Sequence, residues 1–228
     1  MRLFTDTLSA LTPSSCLEIG VGVGFLTFYS SRIVPRIIGV EIDRSLAQAS
    51  QEILLNTPNV LVVIGDGLRM LDAWRESCLY SNTPYNLTSQ IIARSAKNNN
   101  IDVLVLGVQY DLARRILAYP GSKDYGRLTV ITRLFFDVEQ VGFIPRSWFY
   151  PVPKVESSVL LLKRKRPWKP EYNVLEQLTA CLFSQRNRRA SKIVARCAPG
   201  TRHDIAPGIR VRDLDPETIL SLIEEQYN

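Results

Sequence analysis

The hexapeptide Ser81 to Asn86, S-N-T-P-Y-N, holds the residue types best suited to chemistry on an aromatic amine. The exocyclic amine of adenine is a poor nucleophile because its lone pair is delocalised into the ring. Two hydrogen-bond acceptors aimed at its protons localise that lone pair toward an incoming electrophile. Asn82 offers an amide oxygen, and Thr83 or Pro84 a main-chain carbonyl held by the fixed φ of proline. Tyr85 offers a face on which an everted base can stack. No strong general base is required, so positioning must supply most of the acceleration. The bland alternative is an ordinary Asn-Pro turn.

Three further segments favour the chemical reading. Leu17 to Gly24, L-E-I-G-V-G-V-G, places Gly20, Gly22 and Gly24 directly after an apolar run. Without Cβ atoms this turn lets the backbone approach a ligand closely. Its G-x-G-x-G spacing differs from the G-x-G-x-x-G that seats a pyrophosphate. The next run ends in V-E-I-D, where Glu41, followed by Ile42, can pair with ribose hydroxyls. The third ends in I-G-D-G, where Asp66, followed by Gly67, can accept from an adenine amine. Glu18 is ambiguous; it orients the loop or a water near an ammonium group. Each acid alone is more often a helix cap or a surface charge. Together they describe a nucleoside site without a phosphate loop, which suits S-adenosyl-L-methionine, released as S-adenosyl-L-homocysteine. Asn82 borders the same site.

The elements that position these residues alternate. Strands are expected at Cys16 to Ile19, Ile37 to Ile42, Val60 to Ile64, Cys78 to Ser81 and Val103 to Val108, the second and third fully buried. Helices are expected at Phe25 to Ile33, Ser45 to Leu55 and Asp111 to Tyr119, with another after Ser81. Phe135 to Phe143 and Ser158 to Lys163 read as a closing antiparallel pair. The class is therefore α/β, a mostly parallel sheet covered by helices on both faces. Only helical patterns follow: Val174 to Phe183, Arg188 to Arg196 and Pro216 to Gln226. The expected domains are residues 1–165 and a small all-α domain of residues 166–228, joined by K-R-K-R-P-W-K-P.

Charge is localised. The chain of 228 residues carries a net +6, yet Lys163 to Arg202 alone holds eleven Lys or Arg against two Glu. The remainder is therefore net negative, and the tail is the expected contact with an anionic partner such as nucleic acid. Four scattered cysteines without a C-x-x-C pair, and one histidine, His203, argue against a zinc cluster and against a disulfide framework. Scattered thiols fit a reducing cytoplasm. No run suits a membrane helix, and residues 1–15 are too polar for a secretory signal.

These motifs resemble the ribosomal RNA adenine dimethylase family, which includes small-subunit adenine dimethyltransferases and the related erythromycin-resistance methyltransferases. The carriers are L-E-I-G-V-G-V-G-F-L-T (Leu17 to Thr27), V-E-I-D and N-T-P-Y-N. P-G-S-K-D-Y-G-R-L-T-V (Pro120 to Val130), F-Y-P-V-P-K-V-E-S-S-V (Phe149 to Val159) and F-S-Q-R-N-R-R-A-S-K (Phe183 to Lys192) extend the likeness. The resemblance implies a Rossmann-like class I S-adenosylmethionine-dependent methyltransferase with no metal. It assigns Asn82, Pro84 and Tyr85 to the target amine and Phe149 to the opposite face of the base. Gly20, Gly22, Gly24, Glu41 and Asp66 would hold the cofactor. The substrate implied is small-subunit ribosomal RNA within a pre-ribosomal particle, dimethylated at two adjacent adenines near its 3′ end; a monomer is the default expectation for the chain. Lys163 to Arg166, Arg186, Arg188, Arg189 and Lys192 are expected at phosphates, with Lys123, Arg127 and Lys154 nearer the active-site mouth. Trp148, Phe149 and Tyr150 form a stacking cluster, Trp168 packs at a domain interface, and His203 lies at the surface.

Two departures stand out. Thr83 replaces a large aliphatic residue, a change expected to be tolerated because the backbone carbonyl acts there. The family's Gln-x-Phe-Leu-x-Asp segment and helix before the first strand are reduced here to Leu3-Phe4-Thr5-Asp6. A lid over the cofactor is expected to be missing or reduced, and cofactor retention weaker. Two other functions fit in outline: a large-subunit methyltransferase of the antibiotic-resistance type, and a ribosome-assembly factor with vestigial catalysis.

Overall fold

The β-branched and apolar runs form the strands of one seven-stranded sheet in a computed structural model that describes residues 1–82, 87–148, 155–201 and 205–227, the side chains at 148 and 227 excepted. The strands are β1 (Cys16–Ile19), β2 (Ile37–Glu41), β3 (Val60–Ile64), β4 (Cys78–Ser81), β5 (Val103–Gln109), β6 (Phe136–Ile144) and β7 (Ser157–Arg164). Their order is β3-β2-β1-β4-β5-β7-β6. The first five are parallel, with Cys16 level with Ile37 on one side and Cys78 on the other. β7 runs antiparallel to β5, from Val103 opposite Lys163 to Gln109 opposite Ser157. The helices are α1 (Arg2–Leu11), α2 (Phe25–Ser30), α3 (Arg44–Ile53), α4 (Gly67–Ala73), α5 (Thr88–Lys97), α6 (Tyr110–Leu117), α7 (Arg127–Phe135), α8 (Leu175–Phe183), α9 (Ala190–Cys197) and α10 (Pro216–Tyr227). No described helix is long and apolar enough to cross a membrane.

The described chain forms two compact units. One comprises Met1–Ala113 and Asp137–Arg164; the other comprises Arg114–Phe136 and the chain from Lys165 on. The break at Arg164 falls beside the expected domain limit of residue 165. The second unit, however, also claims Arg114–Phe136, because α7 packs against α8 and α10. Its residues Thr129 to Thr132, Leu134 and Phe135 are buried, as a central helix of a small bundle requires.

Several expectations are corrected. β3 is an edge strand rather than a buried one, with Leu61 58% and Ile64 43% exposed. The helix expected to be reduced before β1 is present as α1, and it buries Phe4 and Leu8 completely against the sheet. Burying two such side chains contributes about 1.5–3 kcal/mol each. A disulfide joins Cys181 to Cys197, two residues that α8 and α9 bring to a Cα separation of 5.8 Å. Cys16 and Cys78 are free, buried and face each other across β1 and β4, with sulfurs 2.7 Å apart.

The basic linker is corrected as well. Arg164 does not face solvent for RNA. Its guanidinium donates to the carbonyls of Ser95 (2.5 Å), Ala96 (3.2 Å), Asn98 (2.9 Å) and Ile101 (2.5 Å), closing the carboxyl end of α5. A cation there also meets the negative end of the helix dipole. Within the second unit, Arg166 and Lys165 lie 2.8 and 3.9 Å from the Glu217 carboxylate. Trp168 stacks beside Phe135, with ring centroids 4.8 Å apart, inside that same unit.

Candidate active site

Strand order reverses between β1 and β4, because the chain leaves β1 for β2 and β3 before returning to β4. At such a reversal the loops on either side part and leave a crevice at the carboxyl ends of the strands. The crevice here is a cleft of about 470 Å³ whose lining comes from four consecutive strand ends. β1 supplies Ile19, Gly20 and Gly22; β2 supplies Val40, Glu41 and Ile42. The turn after β3 supplies Asp66 and Gly67, and the segment after β4 supplies Asn82.

The glycine turn works through positive φ. Gly20, Gly22 and Gly24 have φ of 78°, 57° and 90°, a region closed to most side chains. The main chain therefore folds over β1 and presents the Gly22 N–H, which donates to Glu41 Oε2 at 2.8 Å. The other oxygen, Oε1, accepts from the Asp43 N–H at 3.0 Å. Two main-chain donors thus aim the carboxylate while its remaining lone pairs stay available to a diol. Asp43 caps α3 through Ser45 N and Leu46 N, which fixes the turn after Glu41. Asp66 caps α4 through Leu68 N at 2.8 Å and faces the cleft at the same time. Asp66 thus serves as a cap and still borders the cleft.

The walls are apolar. Ile42 is 75% exposed although it is a large aliphatic residue, and Leu46, Leu68 and Leu87 line the cleft with it. An exposed aliphatic surface beside paired acids suits a purine nucleoside: the ring packs on carbon, and the polar edge meets carboxylate. The cleft lies within the usual 300–1,000 Å³ of small-molecule sites. These residues fit S-adenosylmethionine.

Asn82 is exposed and stands at the lip of the cleft. Its amide oxygen lies over Gly107 of β5, where an added Cβ would come within 2.2 Å of Oδ1. Phe4 of α1 closes the same spot, with Cζ 3.1 Å from that point. The Ser81 hydroxyl donates to the Ile19 carbonyl at 2.9 Å, tying the end of β4 to the glycine turn. Thr83, Pro84, Tyr85 and Asn86 lie outside the described residues, as do Phe149, Tyr150 and Lys154.

Two expected cofactor residues do not line the cleft. Gly24 caps α2 and packs on α3, where a Cβ would stand 3.1 Å from that of Ser50. Glu18 is buried within β1 and accepts from the Tyr80 hydroxyl at 2.6 Å. Burial lifts the Glu18 carboxyl to about 7, against the opposing effect of the Tyr80 hydrogen bond. Of the basic residues, Lys123, Arg127 and Arg186 border a second cavity within the second unit. Arg188, Arg189 and Lys192 are exposed there, and none enters an ion pair among the described residues. His203 is outside the described residues. Motif reading misses Leu46, Leu68, Leu87 and Gly107. Apolar positions two or three residues after an acidic cap are the available signal for the first two; Gly107 has none before β4 and β5 are known to be neighbours.

A model of the ribosomal RNA adenine dimethylase family matches residues 6–227. The chain belongs to that family. An Aeropyrum pernix protein named as a probable ribosomal RNA small subunit methyltransferase A is 40% identical over 169 residues, covering 74% of this chain and 60% of that relative. Among solved structures of like fold, a dimethyladenosine transferase from Plasmodium falciparum superposes with a TM-score of 0.79 at 23% identity, covering 99% of this chain and 95% of that one. The 23S rRNA methyltransferase ErmE gives 0.72 at 26% identity over 100% and 98%. The sheet of this chain, mostly parallel with an antiparallel closing strand, is the Rossmann-like fold of those methyltransferases.

Proposed function

We propose that this chain transfers methyl groups from S-adenosylmethionine to the N6 amine of adenine in small-subunit ribosomal RNA, adding two methyls to each of two adjacent adenines near the 3′ end. The observation that supports this best is Asn82, held at the lip of a cleft whose Glu41 and Asp66 carboxylates face a nucleoside-sized space. When bound, the cofactor supplies an electrophilic methyl on sulfonium. The chain's own residues do the rest. Glu41, aimed by two main-chain N–H groups, orders the ribose. Ile42, Leu46 and Leu68 exclude water from the purine face. The Asn82 amide oxygen accepts from the target amine and concentrates its lone pair toward the methyl. A main-chain carbonyl at Thr83 or Pro84 accepts a hydrogen bond from the amine's other N–H, and Tyr85 and Phe149 are the residues that would stack on the base. The lost proton passes to solvent. Arg188, Arg189 and Lys192 meet the RNA backbone without reading its bases. The protein acts as a monomer in the cytoplasm, on assembling small subunits.

Nucleoside mass spectrometry tests this. Protein and cofactor are incubated separately with small-subunit particles and with large-subunit RNA. Dimethyladenosine is expected in the small-subunit RNA alone, and Asn82→Ala should lower its formation at least ~100-fold, the scale of losing one oriented hydrogen-bonding group in a transition state. Product confined to large-subunit RNA would overturn the substrate. An Asn82→Ala protein that still methylates at the native rate would overturn the mechanism.

A further inference from the structure

The second unit holds a cavity of about 390 Å³ at the start of α7, bordered by Arg115, Lys123, Asp124, Gly126, Arg127 and Arg186. Four of these six are cationic. The one acid is already engaged, since Asp124 pairs with Arg114. Arg115, Lys123 and Arg127 are exposed and enter no ion pair among the described residues. Three uncompensated cations around one hollow repel each other, so an anion seated there relieves them.

The main chain adds to the same field. Gly126 is the N-cap residue of α7 and has no side chain to satisfy the helix's first N–H groups. No acid stands in the first turn. The Gly126 N–H itself donates to Thr129 Oγ1 at 3.2 Å, so its geometry is fixed. Arg127 N and Leu128 N have no acceptor among the described residues. A Cβ on Gly126 would meet nothing within 4 Å, so the space in front of these N–H groups is open. The loop is braced from behind: Arg186 Nη2 donates to the Ser122 and Lys123 carbonyls at 3.3 and 3.0 Å. Two buried polar atoms of this brace, Arg186 Nε and Ser122 Oγ, have no hydrogen-bond partner among the described residues.

We infer that this cavity seats a phosphate of the RNA backbone, held by the free N–H groups of α7 and by Arg127, Lys123 and Arg115. The inference rests on the reading of RNA as the substrate and deepens it by assigning one phosphate to one seat. Main-chain donors and three cations suit a tetrahedral anion. None of these groups reads a base edge, so the seat sets register rather than sequence. Arg186 acts here as a positioning residue that holds the loop.

Gly126→Asp separates binding from folding. Its backbone is extended, φ −172°, which aspartate adopts freely. The new carboxylate caps α7, so thermal stability should hold or rise. The same carboxylate occupies the seat, so affinity for a labelled small-subunit RNA hairpin should fall about tenfold. The slope of log K against log salt should lose about 0.7–1. Arg127→Ala should weaken binding similarly, and cofactor affinity should be unchanged in both. Inorganic phosphate, titrated into the wild-type protein against bound RNA, should compete weakly, and less so in Gly126→Asp. If both variants bind RNA as the wild type does, the seat is overturned and the RNA reading stands. Phosphate binding lost in Gly126→Asp with RNA affinity intact would make this a small-anion site and overturn the RNA assignment. A wild-type protein that binds no RNA would overturn both.

Discussion

Charged residues of the two units are used in opposite ways, and the contrast shows how a chain keeps charges for a ligand. In the first unit the acids that face the cleft are held by the backbone: Glu41 by two main-chain N–H groups, and Asp66 by the start of α4. They stay aimed because the fold needs them for its own turns. In the second unit the exposed cations, Arg115, Lys123, Arg127, Arg188, Arg189 and Lys192, have no such holders among the described residues. Each unit also has a member that breaks its pattern. Glu18 is an acid sealed inside the first unit, and Arg186 is a cation spent on carbonyls in the second. Type and spacing do not separate the sealed charge from the open one; solvent access does.

The largest expected effect comes from a cation consumed by the fold. Arg164→Ala removes a charged donor from four carbonyls and should cost roughly 3–4 kcal/mol, seen as a fall of several degrees in melting temperature. Arg188→Ala should leave melting unchanged and weaken RNA binding. Equal melting of the two variants would break the comparison.

Next is the sealed acid. Folding raises the Glu18 carboxyl from its ordinary value near 4.5 to about 7. The folded state then binds more protons than the unfolded one between those values, so stability is full below pH ~4.5 and declines as pH rises through 7. The loss approaches ~3 kcal/mol. Glu18→Gln should flatten this slope in urea titrations run from pH 5 to 8, and a slope that persists in the variant would assign it elsewhere.

A smaller effect belongs to Gly107. An alanine there would press on Asn82 Oδ1, and turnover should fall about 30-fold with cofactor affinity little changed. In an Asn82→Ala background the same substitution should add nothing to the loss in kcat; additive losses would mean that Gly107 acts on packing alone. Smallest is Glu41→Gln. It keeps the shape and loses the charge, and calorimetry should show cofactor binding weakened by about tenfold.

Much of this architecture is legible before any coordinates. β1, β2, β4 and β5 stand where the apolar runs place them, because parallel strands buried on both faces must be apolar throughout, and β7 stands where a closing antiparallel strand is expected. Glu41 and Asp66 reach one cleft because one ends a strand and the other follows one in a sheet wound about a single reversal. α7 is not legible. Its R-L-T-V-I-T-R-L-F is rich in β-branched residues and runs into β6 without a breaker, so burial among α8 and α10, not propensity, makes it a helix. β3 reads as buried because Leu61 and Ile64 are aliphatic, yet the edge position leaves them open. The disulfide is invisible for a third reason: a spacing of sixteen residues says nothing about whether two helices approach to bonding distance.

That disulfide encloses the cationic start of α9. Arg186, Arg188, Arg189 and Lys192 all fall between Cys181 and Cys197, inside one covalent ring. A single trypsin nick at any one of these sites would cut the polypeptide without releasing a fragment. The two pieces would migrate as one band on a denaturing gel until a thiol reductant was added, so the ring keeps a nicked chain in one covalent piece.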